Sequence, residues 1–352
     1  MTTAVHVIDE TSPPDALDQL SLLAGENDRI IAIGEPPAGS ALTKEFARVH
    51  CPLGVARLAG RYLRRRTTEA DVLHAWSPRS ATAALSARTA TPVVLSLASV
   101  PQARTLKWLL RRLHKARLLC TIPTAEARER MVAAGGPEGS VRVLPPPGDP
   151  VEDATARRSR AREAMHLSPD STLLVAPGPL VRDSGARKAI WAHGICHHAG
   201  CDVHLAVARG GAFEPHVRYF AETAGVSDKI DFTAGVLTDA DVLAAADVAL
   251  VLATNGRTIA AAVRALAAGL PVVATDTAGM RECVGHNRAG LLCPAGDVRS
   301  AAAAVLRLIE EADLAARLAC DARTVAAENH DRENCRRLLD EIYKSALAVT
   351  SA

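Results

Sequence analysis

The stretch "LVLATNGRTIAAAVRALAAGLPVVATDTAGM", residues 250–280, decides how this chain is read. It opens with a short apolar run, passes through a loop, continues as an alanine-rich helix and enters a second apolar run. A glycine-bearing turn follows. Buried strand, loop, helix, buried strand is the unit of a parallel sheet covered on both faces. In such a sheet, the loop and helix start lie where a phosphate or sugar binds. Yet residues 253–273 contain no Asp, Glu, His or Lys, so the cradle lacks the side chains that usually hold ligands.

The same alternation runs outward in both directions. Candidate strands lie at 4–8, 29–33, 71–75, 92–98, 117–122 and 141–145, then at 172–177, 203–208, 229–234, 248–253, 271–276 and 289–294. Helical stretches separate them, which makes the fold class α/β. At 352 residues the chain suits two domains of ordinary size, and 48% apolar residues can fill two cores. The alternation pauses at "PPPGDPVEDATARRSRAREAMHLSPDS" (145–171), where a proline cluster precedes a charged, helical linker. The expected division is therefore an N-terminal lobe with its linker (1–165), a C-terminal lobe (166–335) and a final helix (336–352). That helix carries Leu338, Leu339, Ile342, Tyr343 and Leu347 at helical spacing and should pack on the body.

Several function classes fall away. A net charge of +2 gives no global attraction to nucleic acid, and aromatic residues are too few, at 3%, to interleave with cations. The start "MTTAVHVIDETSPPD" has no basic patch followed by an apolar run, and no apolar stretch reaches membrane-spanning length. Eight cysteines without C-x-x-C spacing read as free thiols in a reducing compartment. The expected location is cytoplasmic. No G-x-S-x-G, P-loop or dinucleotide G-x-G-x-x-G occurs, and "ARGGAF" (208–213) reads as a turn after a strand.

Two local signals carry alternatives. "HGICHHAGC" (193–201) puts His193 and His197 one helical turn apart, a spacing used by zinc sites. No second ligand pair stands at a recognised spacing, so an ordinary helix end is expected, with no metal and no cofactor. "RTLKWLLRRLHKAR" (104–117) is amphipathic. Leu106, Leu109, Leu110 and Leu113 form one side, and Arg104, Lys107, Arg111 and Lys115 another. Arg104 to Arg117 would make peripheral membrane contact if the leucines were exposed. Otherwise they form a core-facing stripe beneath a solvated basic face. "RYLRRR" (61–66) adds a second cationic cluster.

In order along the chain, the motifs resemble those of the retaining glycosyltransferases of family four. "VRVLPPPGD" (141–149) is similar to that family's V-I-P-N-G-V-D hinge. "VAPGPLVRDSGARKAIWA" (175–192) is similar to G-R-L-x-x-x-K-G and its helix. "DKIDFTAGVLTDADVLAAADVALVLAT" (228–254) resembles the V-x-F-x-G to A-D-V segment. "VRALAAGLPVVATDTAGMRECVGHNRAGLLCPAGD" (263–297) resembles L-E-A-M-A-x-G-x-P-V-V-A-T-x-x-G-G-x-x-E-x-V, then T-G-L-L-V-x-P-G-D. In the first half, "DVLHAWSPRSATAALSARTATPVVLSLA" (71–98) resembles D-V-V-H-x-H and the next strand. The resemblance implies a GT-B-like fold of two Rossmann-like parallel-sheet lobes facing a cleft. It also implies a nucleotide-sugar, or another anionic small molecule, as ligand.

The departures fall on chemical positions. The family's two donor-site glutamates, eight residues apart, correspond to Gly256 and Arg264. Pro179 stands in place of the arginine of the G-R-L motif, and Ser184 in place of the lysine of K-G. The two first-lobe histidines correspond to Trp76 and Ala98, and "DETSPPDAL" replaces the early glycine-rich turn. The scaffold residues Gly178, Gly185, Gly269, Pro271, Gly279, Gly290, Gly296, Glu282 and Asp297 persist. Donor-binding candidates are thus Gly178, Arg182, Gly185, Arg187, Arg257, Arg264, Gly279 and Glu282, with no catalytic residue identified. Arg264 exchanges an acceptor for a donor, which suits a phosphate or carboxylate better than a ribose diol. A divergent transferase and a catalytically silent relative both remain open, as does a membrane-peripheral partner protein.

Overall fold

The computed structural model describes residues 2–9, 11–33, 46–49, 56–67, 69–114, 118–233, 235–254 and 258–351. Two compact units emerge: residues 1–147 with 332–352, and residues 148–331.

The first unit runs β1 (Ala4–Asp9), α1 (Pro14–Leu23), β2 (Arg29–Ile33), β3 (Phe46–Val49), α2 (Ala56–Arg66), β4 (Val72–Ala75), α3 (Pro78–Ser86), β5 (Val93–Ser96), α4 (Ala103–Leu113), β6 (Leu118–Ile122), α5 (Ala125–Ala133) and β7 (Val141–Val143). The second runs α6 (Ala154–Ala164), β8 (Thr172–Ala176), α7 (Ala186–His198), β9 (Val203–Val207), α8 (Glu214–Thr223), β10 (Ile230–Phe232), α9 (Asp239–Ala245), β11 (Val248–Val251), α10 (Ile259–Ala267), β12 (Val272–Thr275), α11 (Ala278–Cys283), β13 (Gly290–Cys293), α12 (Val298–Glu310) and α13 (Ala312–Asn329). The chain then returns to the first unit as α14 (Arg332–Ser351).

The strands are ordered β3-β2-β1-β4-β5-β6-β7 in one sheet and β10-β9-β8-β11-β12-β13 in the other. All pairings are parallel. Most strands between helices are buried along their length, which is why they read as unbroken apolar runs rather than alternating ones. Helix starts follow local chemistry. Ser77 and Ser80 form a capping box at α3, as do Thr238 and Asp241 at α9, and Thr124 caps α5.

All twelve expected strands form. The sequence reading did not include β3, a four-residue edge strand paired with β2. The unit boundary also differs: it falls at 147/148 rather than near 165. The cause is α6, which docks on α9 through its arginines. Arg157 donates to Asp241 at 2.7 Å, Arg158 to the Ala245 carbonyl at 2.7 Å and to Asp247 at 2.6 Å, and the buried Arg162 to the Ser171 carbonyl at 2.6 Å. The charged run that looked like a linker is therefore an integral helix of the second unit.

α14 packs as expected from its periodicity. Leu339, Ile342, Tyr343 and Ala346 join the first unit's core with Leu17, Leu20 and Trp76. Among the described residues no helix is long and apolar enough to cross a membrane.

Candidate functional site

In the second unit the strand order turns at β8 and β11, which are neighbours although α7, β9, α8, β10 and α9 separate them in sequence. Their following loops diverge and leave a crevice at the carboxyl ends of the strands, the usual ligand position in an open α/β sheet. Gly185 brings these two loops together. Its φ is +84°, and a Cβ there would lie 2.5 Å from the Ala253 nitrogen and the Leu252 carbonyl carbon. Only glycine allows that approach. Gly178 is less constrained, since a Cβ would meet Ala261 and Thr258 at ordinary contact distance, 3.8 and 3.9 Å.

A cavity of about 520 Å³ lies over the start of α7. Arg182, Gly185 and Arg187 line it, together with Lys188, Trp191, Phe213, Phe220, Thr254 and Gly296. Arg182 and Arg187 are exposed. The Arg187 guanidinium lies over the Phe220 ring, 5.2 Å from its centroid. Lys188 donates to the Leu252 carbonyl at 3.3 Å, tying α7 to the end of β11. Motif comparison missed Lys188 and Trp191. The signal was their spacing: Lys188 lies one helical turn beyond Ser184, and Trp191 one turn beyond Arg187.

The other candidates do not join this cavity. Arg264 on α10 donates from Nη2 to the Pro177 carbonyl at 2.9 Å, and its Nε lies 3.3 Å from Asp239 Oδ2. Arg209, at the end of β9, reaches the same oxygen at 3.8 Å. A carboxylate flanked by two arginines therefore sits beside the position of the missing family glutamate. It comes from the start of α9, and neither Asp239 nor Arg209 stood out in the sequence. Gly279 is buried inside α11, whose start is capped by Thr277, and Glu282 is half-buried on the same helix. Arg257 lies outside the described residues.

The first unit uses its polar residues differently. Trp76, at a family histidine position, is fully buried and donates from Nε1 to His6 Nδ1 at 3.2 Å. His6 Nε2 faces Asp28 Oδ2 at 3.3 Å. Burial opposes the charge on Asp28, but the hydrogen bond and charge of His6 and the N–H groups of Ala4 and Gly25 bring its pKa down to about 2. His74 meets the Tyr343 hydroxyl at 2.7 Å and the Ser96 hydroxyl at 2.8 Å. Burial, then the charge of His6, holds His74 well below the usual histidine range, and burial raises Tyr343 well above the usual tyrosine range.

On α4, Leu109 and Leu113 are buried, and Leu106, Trp108 and Leu110 pack against the same core. The leucine stripe faces inward and the basic face is solvated, with Arg112 5.8 Å from the Trp108 ring centroid. Residues 115–117 lie outside the described residues. His193 is likewise a core residue. It donates from Nε2 to the Val203 carbonyl at 3.0 Å, and burial pulls its pKa down to about 4. Among the described residues no three His, Cys, Asp or Glu side chains gather as metal ligands.

Two parallel sheets of this order, with a crevice at the second sheet's switch point, define the GT-B class of glycosyltransferase fold. Residues 185–311, within the second unit, match the family described as Glycosyl transferases group 1. The GDP-mannose-dependent alpha-(1-6)-phosphatidylinositol monomannoside mannosyltransferase of Mycobacterium tuberculosis (strain CDC 1551 / Oshkosh) is 30% identical over 219 residues, 59% of this chain and 56% of that protein. The 2-deoxystreptamine glucosyltransferase of Streptomyces kanamyceticus is 27% identical over 58% of this chain and 54% of that one. The chain thus spans little more than half the length of these relatives. The fold match is broader. The crystal structure of Anabaena HepE in complex with UDP and glucose has a TM-score of 0.80 at 17% identity, covering 97% of this chain and 99% of that one. WaaG, a glycosyltransferase involved in lipopolysaccharide biosynthesis, has a TM-score of 0.72 at 16% identity over 97% and 99% of the two chains.

Proposed function

We propose that this chain transfers a sugar from a nucleotide-sugar to an acceptor, and that the second unit holds the donor at the β8–β11 crevice. The observation that carries this reading is the cavity over α7, where Arg182, Arg187 and Lys188 gather with Gly185 beside the end of β11. A relative named for GDP-mannose dependence and a structural neighbour holding UDP and glucose support a nucleotide-sugar as the donor class.

A donor of this kind carries a diphosphate with roughly two negative charges, which arginine and lysine meet with charge-assisted hydrogen bonds. Transfer breaks the bond from the sugar's anomeric carbon to the diphosphate oxygen, whose electron pair leaves with the diphosphate, while an acceptor hydroxyl oxygen bonds that carbon and releases its proton to the departing diphosphate or to solvent. The cations at 182, 187 and 188 would stabilise that growing charge, a kind of contribution whose loss costs about 10²–10³ in rate. They would do so from positions other than the family's arginine and lysine.

A second reading is a catalytically silent relative, and Arg264 favours it. Its guanidinium is engaged inside the unit by Pro177 and Asp239, where the family places a carboxylate for the donor.

Thermal shift followed by turnover separates the two. UDP-glucose or GDP-mannose should raise the melting temperature by several degrees, since a ligand bound only by the native state stabilises it. Arg182→Ala should weaken that binding about 10–150-fold, the equivalent of one charge-assisted hydrogen bond. Binding with neither transfer nor slow donor hydrolysis selects the silent reading. No shift with either donor removes the nucleotide-sugar reading.

A further inference from the structure

The first unit has a groove of its own, about 420 Å³, between α4 and the turn that ends α5. Half-buried Leu106 and Leu110 form its floor, Ala134 stands in one wall, and exposed Lys107, Arg111 and His114 form its rim. Among the described residues no acid lines it. Glycine keeps the α5 wall low. A Cβ at Gly136 would lie 2.8 Å from the Met131 carbonyl oxygen and 3.5 Å from Leu110 Cδ2, and Gly135, at φ +99°, has open space at its Cβ position. His114 Nε2 meets the Gly135 carbonyl at 3.1 Å and ties the two walls together. The volume falls within the range of about 300–1,000 Å³ that takes compact ligand groups.

The fold does not explain the charge around this groove. Residues 56–117 hold thirteen Arg or Lys against two acids, Glu69 and Asp71, in a chain whose net charge is +2. On α4, Arg104, Lys107, Arg111 and Arg112 are exposed, and none of them is in an ion pair among the described residues. Arg104, Lys107 and Arg111 follow one another at three and four residues, so like charges stand one helical turn apart and destabilise the helix. Arg104 and Lys107 also lie in its first half, toward the end where the helix dipole favours anions. α2 covers the same face of the sheet, shares a core with α4, and exposes Arg61, Arg64, Arg65 and Arg66. The α4 charges work against the helix that carries them, so their use lies outside it.

We propose that the groove between α4 and α5 docks a segment of a partner protein, an acidic stretch with a bulky apolar side chain at its centre. The apolar side chain fills the groove over Leu106 and Leu110, and carboxylates on either side of it meet Lys107 and Arg111. The further cations of α4 and α2 steer the acidic segment in. A lipid surface would need apolar side chains that project outward and insert. On α4 Leu109 and Leu113 are buried, Leu106, Trp108 and Leu110 are half-buried, and the apolar surface is concave. A concave apolar site ringed by cations matches a protruding apolar group flanked by acids. The proposal does not depend on the donor reading of the second unit.

Fluorescence anisotropy with the full chain tests this. The probe is a fluorescein-labelled octapeptide with Leu-Phe at its centre and three acids on each side. Saturable binding is expected, at least tenfold tighter than that of the same peptide with Ser-Ser at its centre. Changing the apolar anchor on the peptide leaves the protein's fold untouched. Lys107→Glu/Arg111→Glu should weaken the Leu-Phe peptide at least tenfold. Because both side chains are exposed and stand among like charges, that variant should not lower the melting temperature. No saturable binding of the Leu-Phe peptide, equal binding of the Ser-Ser peptide, or an unchanged affinity in the charge-reversed protein overturns the proposal. Co-sedimentation with vesicles of equimolar phosphatidylcholine and phosphatidylglycerol that the charge reversal abolishes, with no peptide binding, assigns the face to an anionic lipid surface and overturns it as well.

Discussion

The two units solve the same packing problem with opposite uses of polar side chains. The first unit threads them through its interior: Asp28, His6 and Trp76 form one chain, and Tyr343, His74, Ser96 and Thr121 another, across β1, β4, β5, β6 and α14. The second unit keeps a mainly aliphatic interior of Ala, Val, Leu and Ile, with Arg162 and His193 among its buried polar exceptions, and it carries Arg182, Arg187 and Lys188 around the cavity over α7. Buried polar groups must be satisfied by one another, because an unpaired one costs about 1–3 kcal/mol. The first unit's polar residues are therefore committed to holding it together. Those around the α7 cavity face outward, which is why the ligand chemistry is assigned there.

The sharpest way to break this contrast is to remove α14. Deleting residues 332–352 takes Leu339, Ile342 and Tyr343 from the first unit's core and leaves His74 without its Tyr343 partner. At about 1.5–3 kcal/mol per large buried side chain, the loss is on the order of 5–10 kcal/mol, comparable with a whole domain's stability. Hydrogen exchange should show protection lost across residues 4–144 and kept across 148–331. Equal protection in both would mean α14 is not part of the first core.

A smaller perturbation cuts the polar chain itself. His74→Ala should destabilise the first unit by about 2–4 kcal/mol, through a cavity and the loss of the Tyr343 hydroxyl's partner, while Ser96 keeps Thr121. Tyr343→Phe should cost about 1–2 kcal/mol. Denaturant melts of the two variants rank them, and the reverse order would refute the network reading.

Acid probes both units at once. His193 has a folded pKa of about 4, below its ordinary 6.5, so the folded state binds fewer protons than the unfolded state between those values. Its contribution is complete above pH 6.5 and is lost as pH falls through about 4, at most about 3 kcal/mol. His74, depressed in the same direction, makes the first unit lose stability over the same descent. Asp28 extends the first unit's loss from about pH 4 toward 2. Melting temperature against pH should fall throughout this range, and His193→Gln should flatten only the second unit's share.

The smallest effects belong to the surface of the second unit. Arg264→Ala should cost about 1 kcal/mol, as expected for a partly exposed ion pair and one hydrogen bond. Trp191→Ala should change stability by no more than about 0.5 kcal/mol. A large loss at Trp191 would make it a packing residue and remove the contrast with Trp76.

Much of the fold was legible because its signals are local. Each buried parallel strand between helices announces itself as a short apolar run, and the Ser77 cap acts through atoms a few residues away. β3 escaped because four edge residues carry too little pattern. The boundary near 165 was misplaced because the partners of Arg157, Arg158 and Arg162 lie about eighty residues on, in and after α9. At the site, the sequence marked Arg182, Gly185 and Arg187, which do meet, and grouped with them Arg264 and Glu282, which line no part of that cavity.

What the amino-acid sequence determined by itself was the alternation of strand and helix, the two-lobed class, and the absence of the family's acids at Gly256 and Arg264. What only tertiary structure decided was which distant groups meet: Asp239 with Arg264 and Arg209, Tyr343 with His74, Trp191 and Phe220 with Arg187. The reason is physical. Backbone propensity and hydrophobic period are properties of neighbours along the chain, whereas a binding surface is made where crossovers return, and that placement depends on the packing of every element between.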